Sequence, residues 1–145
     1  MLETTLIVGI GLIGGMAVGL QVPIAGAMST RLGGASSSVV VHLGGLIASL
    51  VLLFLRGGEN IQAWRQVPWY MLGSGALGLL LYLTLSQTVP RLGATSAITL
   101  VVVGQLLIGM VVDHFGLFDT TLKAVDLQRL AATGLLLAGA YLMLR

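Results

Sequence analysis

A few side chains in this sequence have the chemistry to hold or pass a solute: Gln21, His42, Tyr82, Gln105, Asp113 and His114. Each stands in or beside a long apolar run, so each is a polar group set where water is scarce. An amide offers donors and an acceptor together, and an imidazole binds or changes protonation near neutral pH. Polar groups at membrane depth mark substrate or ion pathways more often than they mark stability, because one interhelical hydrogen bond is worth only about 0.6 kcal/mol on average. For every one of these residues a plainer role stands beside the pathway role. His42 can be a neutral imidazole bonded to a backbone carbonyl. Tyr82 and Ser86, four apart on one helix face and followed by Gln87, can be satisfied locally. Asp113 and His114 can form an interfacial helix stop before Gly116, or a gate or coupling group at the mouth of a cavity.

The elements that must position these residues follow from composition. The chain has 145 residues, 57% hydrophobic and 8% charged, with a mean hydropathy of +1.04. A soluble domain carries roughly a quarter charged residues. Apolar runs of about 20 residues separated by short charged patches read as transmembrane segments. Without water the backbone must satisfy itself, which restricts spans to helices or a closed barrel. The runs lack alternation, and Leu, Ala, Met and Gly dominate them, so the expectation is an all-α integral membrane protein.

Five transmembrane helices are expected: 5–28, 36–55, 68–89, 94–112 and 127–144, forming a single domain over 1–145. The connections 56–67 and 113–126 hold most of the charge, with Trp64, Trp69, Tyr70, Phe115 and Phe118 gathered at them as an interfacial belt. The start of the chain carries Glu3 and no Lys or Arg, so the first run reads as a retained helix, not a signal peptide, although Ala25-Gly26-Ala27 resembles a cleavage site. Arg56, Arg65, Lys123 and Arg129 fall on the side of the N-terminus, and Arg31, Arg91 and Arg145 on the other. A bias this small gives the positive-inside rule almost nothing to act on, so the chain is able to insert either way.

Glycine and proline shape the first helix. Gly11, Gly15 and Gly19 make a smooth ridge for close helix approach, within one protomer or between subunits. Pro23, two residues after Gln21, removes a backbone bond to Gly19 and predicts a kink or break. Transporters place such interruptions at substrate sites. Gly9-Ile-Gly11-Leu-Ile-Gly14 matches G-x-G-x-x-G, but no acid follows about 20 residues on, and the apolar run continues, so a dinucleotide fold is excluded. Arg31-Leu-Gly-Gly-Ala-Ser36 recurs as Arg91-Leu-Gly-Ala-Thr-Ser96, each with an arginine, a glycine suited to positive φ and a serine able to cap the next helix, either turn chemistry used twice or a duplicated helix pair.

The remaining classes are narrowed by what is missing. Seven basic residues scattered along the chain form no stripe for nucleic acid. Cysteine is absent. No metal-ligand spacing, phosphate loop or nucleophile–base pair occurs, so neither an enzyme nor a cofactor is expected. Glu3, Glu59, Asp113, Asp119 and Asp126 all lie at or outside the span edges. An exchanger of protons for organic cations needs an acid deeper than that.

Pro90-Arg-Leu-Gly-Ala94 entering a helix, then Gly104-Gln105, then Asp113-His114-Phe115-Gly116, resembles the YdcZ-like group of the drug/metabolite transporter superfamily; Gln21 and Pro68-Trp69-Tyr70 fit the same pattern. The resemblance implies a five-helix half of a ten-helix inverted-repeat transporter in the inner membrane. An odd helix count then requires an oppositely inserted second copy in the bilayer, an antiparallel homodimer or a paralogous subunit. A small-molecule transporter with alternating access, its cavity lined by the first, second and fourth spans, is the expectation. A passive channel and a non-transporting accessory subunit are the alternatives.

Overall fold

The computed structural model describes residues 2–145, and among them the chain forms helices and turns without a strand. The long helices are α1 (Leu2–Leu32), α2 (Gly34–Leu55), α4 (Gly75–Leu92) and α5 (Ala94–Phe115); α3 (Trp69–Leu72) is a single turn, and α6 (Leu127–Met143) closes the chain. Four stretches are long and apolar enough to cross a membrane, namely α1, α2, Trp69–Leu92 and α5, and α6 is a shorter apolar helix of 17 residues. The expected third span is divided. Gly73-Ser74 interrupt it between α3 and α4 with a turn, although Trp69–Leu92 as a whole is long enough to cross. Of the kink or break expected at Pro23, the break does not occur: α1 continues through it as helix.

The two arginine–glycine turns adopt one geometry. Gly33 has φ 83°, ψ 155° and Gly93 has φ 81°, ψ 161°. Only glycine reaches this backbone without strain. Gly33 and Gly93 themselves occupy the cap position, and their carbonyls accept from Ser37 N–H and Ala97 N–H, at 3.1 Å in both turns. Neither next helix has a side-chain cap. Ser36 and Ser96 therefore do not cap, contrary to the sequence expectation. The glycine already reverses the chain one turn earlier.

The chain divides into two compact units, one ending at Pro90 and the other Arg91–Arg145. In the first, small residues of α1 and α2 meet the larger ones of α4. Val22, Ala25, Ser29, Ser37, Ser38, Tyr82 and Leu85 are buried. A Cβ on Gly26 would lie 2.6 Å from Val89, and one on Gly34 would lie 2.9 Å from the Ser86 hydroxyl. Lipid tails are as apolar as leucine, so helices in a bilayer associate through close packing and hydrogen bonds, which this small-against-large contact supplies.

In the second unit α5 and α6 run antiparallel, pinned along their length. Arg129 meets Asp113, the Thr133 hydroxyl meets Met110 Sδ at 3.2 Å, and Thr99 meets Met143 Sδ at 3.3 Å. The Ser96 hydroxyl donates to the Met143 carbonyl at 3.2 Å. Asp126 caps α6 by accepting the Arg129 N–H at 2.7 Å.

Candidate functional site

Three of the sequence-chosen residues lie in the first unit, and the structure joins two of them. His42 stands in the third turn of α2, about 12 Å along the helix at 1.5 Å per residue. Its Nδ1 lies 2.7 Å from the Ser38 carbonyl and 3.1 Å from the Ser38 hydroxyl. A carbonyl only accepts, so Nδ1 carries the proton in the first of these contacts. The His42 ring packs edge-on against Tyr82, with centroids 6.1 Å apart. Tyr82 in turn donates its hydroxyl proton to the Ala25 carbonyl of α1 at 3.2 Å. Tyr82 thus bridges α1 and α2 from its place on α4.

The register explains why these residues meet. Gly34 faces Ser86, and His42 faces Gly78, so α2 and α4 are antiparallel neighbours with a glycine at each end of the contact. A Cβ at Gly78 would sit 3.4 Å from His42 Nε2. Ser86, expected as part of a polar strip, bonds its own Leu83 carbonyl at 2.7 Å. Gln87 is exposed.

Gln21 is exposed, and among the described residues no hydrogen bond joins it to His42. The partners of His42 are Ser38 on its own helix and Tyr82 on α4. Gly11, Gly15 and Gly19 have nothing within 4 Å of a built Cβ, so the ridge packs against no other part of the described chain. An apolar groove of 530 Å³ instead runs along the C-terminal half of α1, lined by Ile24, Ala27, Met28, Arg31, Leu32 and Val40. It contains none of the residues chosen from sequence.

The second unit carries the other three. Gln105 is the twelfth of the 22 residues of α5, exposed and without a hydrogen-bond partner among the described residues. Asp113 and His114 act on the loop that follows. Asp113 pairs with Arg129 at 3.3 Å, and its carbonyl accepts the Lys123 N–H at 2.8 Å. His114 Nδ1 accepts the Val125 N–H at 3.3 Å. Gly116, at φ 60°, ends α5 with its N–H on the Asp113 carbonyl.

Sequence reasoning missed Ser37 and Ser38, which are 0% and 2% exposed. Ser37 returns its hydroxyl to the Gly33 carbonyl at 2.8 Å, while Ser38 holds His42. The available signal was Ser38 four residues before His42, one helical turn on the same face. Among the described residues, no group of three His, Asp or Glu side chains converges to hold a metal ion.

Comparison with known families places the sequence in one of them. Neither the curated proteins nor the solved structures contain a match to the chain. The family described as "Putative inner membrane exporter, YdcZ" matches residues 6–142, which includes both units and every site residue discussed above. With four helices apolar and long enough to span a bilayer, and a family match over almost its whole length, the chain belongs to the YdcZ family of drug/metabolite transporter-like inner membrane exporters.

Proposed function

We propose that the chain is one half of a small-molecule exporter. Two copies insert in opposite orientations and enclose a cavity between them. In this reading α6 is the fifth span, its 17 residues at the short end of what crosses a hydrocarbon core of about 30 Å. Inverted repeats around a midplane site give alternating access by rocking one repeat against the other. Gln21, His42 and Gln105 contact the solute or gate its path.

One observation carries the reading. Gln105 lies halfway along a helix whose window is only 6% buried, and its amide is exposed with no bond to satisfy it. An amide facing hydrocarbon in that state costs about 2 kcal/mol or more. A second copy enclosing a wet cavity removes that cost. The open glycine ridge of α1 offers this copy a close approach, and the near-even arginine count lets both orientations insert.

The test is topology, made clean by the absence of cysteine. Gly34 is a poor labelling position, since any Cβ there crowds Ser86. Asn60→Cys and Leu92→Cys, both exposed and on opposite sides of the membrane in this reading, serve instead. Intact cells treated with an impermeant maleimide are expected to label about half of each variant, by mass action between two orientations of similar free energy. Labelling of one position alone refutes the homodimer and directs the search to a paralogous subunit.

A further inference from the structure

We infer that the cargo acceptor is Nε2 of His42, and that the cargo is an uncharged solute presenting an N–H or O–H donor. The inference rests on the exporter reading and names the substrate class of its site. The Nδ1 proton of His42 is committed to the Ser38 carbonyl at 2.7 Å, which leaves the neutral ring a lone pair on Nε2. Nε2 has no hydrogen-bond partner among the described residues, and it opens beside Gly78, where the missing side chain leaves a notch on α4. The wall of that notch is the Tyr82 ring. Tyr82 offers no donor to a visitor, because its hydroxyl proton is spent on the Ala25 carbonyl. The notch therefore lacks a donor of its own and holds a fixed acceptor.

Charge is excluded by the surroundings. The charged residues of this unit are Glu3, Arg31, Arg56, Glu59 and Arg65, all at helix ends or in the connection. Arg56 is already paired with Glu59 at 3.0 Å, and Arg65 lies over Trp64 at 5.7 Å. An ion bound beside His42 would lose its hydration with no counter-charge nearby. A neutral donor loses far less and recovers a hydrogen bond.

The experiment uses the full chain in nanodiscs of neutral lipid, with histidine labelled by ¹⁵N. Four probes of similar shape are compared: benzamide, acetophenone, benzoate and benzyltrimethylammonium. The His42 Nε2 resonance, assigned by its loss in His42→Asn, is expected to be of the unprotonated type and to shift saturably with benzamide alone. Calorimetric titration of benzamide is expected to weaken about tenfold or more in His42→Asn, whose amide keeps a donor for the Ser38 carbonyl and is too short to set an acceptor at the place of Nε2, and in Gly78→Ala, which fills the notch. Should Gly78→Ala fail to fold, His42→Asn carries the comparison. The inference is overturned if Nε2 bears the proton, if acetophenone acts as benzamide does, if benzoate or the quaternary ammonium binds more tightly, or if both variants bind benzamide unchanged. Binding in nanodiscs needs neither two-way insertion nor flux. A one-way topology therefore sinks the dimer while leaving this result readable, and active transport with a silent Nε2 sinks the acceptor alone.

Discussion

The guanidinium of Arg129 lies 3.3 Å from the carboxylate of Asp113, tying the first turn of α6 to the last turn of α5. The same aspartate accepts the Lys123 N–H through its carbonyl, and the adjacent His114 accepts the Val125 N–H. Two ionisable groups at the end of a span thus hold down the loop that returns the chain to α6. This is a structural use for Asp113 and His114 that needs no proton transfer.

Both members of the ion pair are about a third exposed, so solvent screens it. A double-mutant cycle of Asp113→Asn and Arg129→Gln, read by unfolding in detergent mixtures, is expected to give a coupling of about 0.2–1 kcal/mol. Asp126→Ala, which removes the cap of α6, is expected to cost about 0.5–2 kcal/mol and to exceed either ion-pair variant. The opposite ranking would mean that the ion pair, not the cap, holds α6 in place.

Gly26 of α1 packs directly against Val89 of α4. A methyl there meets Val89 Cγ1 at 2.6 Å, and valine is too stiff at χ1 to swing aside cheaply. Gly26→Ala is expected to lower stability by about 1–3 kcal/mol. Val89→Ala in the same chain is expected to restore most of it, since the space is returned from the other side. A Gly26→Ala protein as stable as the parent would place the α1–α4 contact elsewhere.

Tyr82 gives the first unit its one long-range hydrogen bond to α1 among the described residues. Tyr82→Phe keeps the ring against His42 and removes only that bond. Unfolding is expected to show a loss of about 0.5–1.5 kcal/mol, toward the lower end because interhelical bonds in membranes are modest. Tyr82→Ala, which also empties the contact with His42, is expected to cost about 3–5 kcal/mol. Equal losses for the two variants would show that the hydroxyl, not the ring, makes the contact.

The two histidines are held in opposite tautomers. His42 donates from Nδ1 to a carbonyl, whereas His114 accepts at Nδ1 from an N–H. The ¹⁵N spectrum of the neutral protein is expected to show one ring protonated at Nδ1 and one at Nε2. Val125→Pro, which removes the donor to His114, is expected to change the His114 signals and leave those of His42 in place. Two rings of the same tautomer would contradict one of these bonds.

The local features were legible because their causes are local. Apolar runs with scattered glycine demand helices wherever water is absent, and the repeated Arg-Leu-Gly turn demands a backbone that glycine alone adopts comfortably. Gly33 and Gly93 reverse the chain in one geometry for that reason. Ser36 and Ser96 were misread as caps because the pattern of a serine before a helix does not reveal that glycine has already taken the cap position. The third span was legible from hydropathy as one crossing stretch, while the turn at Gly73-Ser74 within it is a local matter of weak helix formers.

The sequence by itself determined the solvent, the class and the family: a charged fraction of 8% belongs to a chain whose backbone must satisfy itself in lipid, and the motifs from Pro90 to Gly116 mark its relatives. It also determined which polar side chains stood in the spans. Only the tertiary structure decided what each one touches. His42 meets Tyr82 because α2 runs antiparallel to α4, with glycines at Gly34 and Gly78 opening the way. The rotation of one helix about its axis moves a side chain from lipid to protein without changing a single local preference. Packing of distant residues fixes that rotation, so Ser37 and Ser38 became buried and Gln105 stayed exposed for reasons that no short stretch of sequence contains.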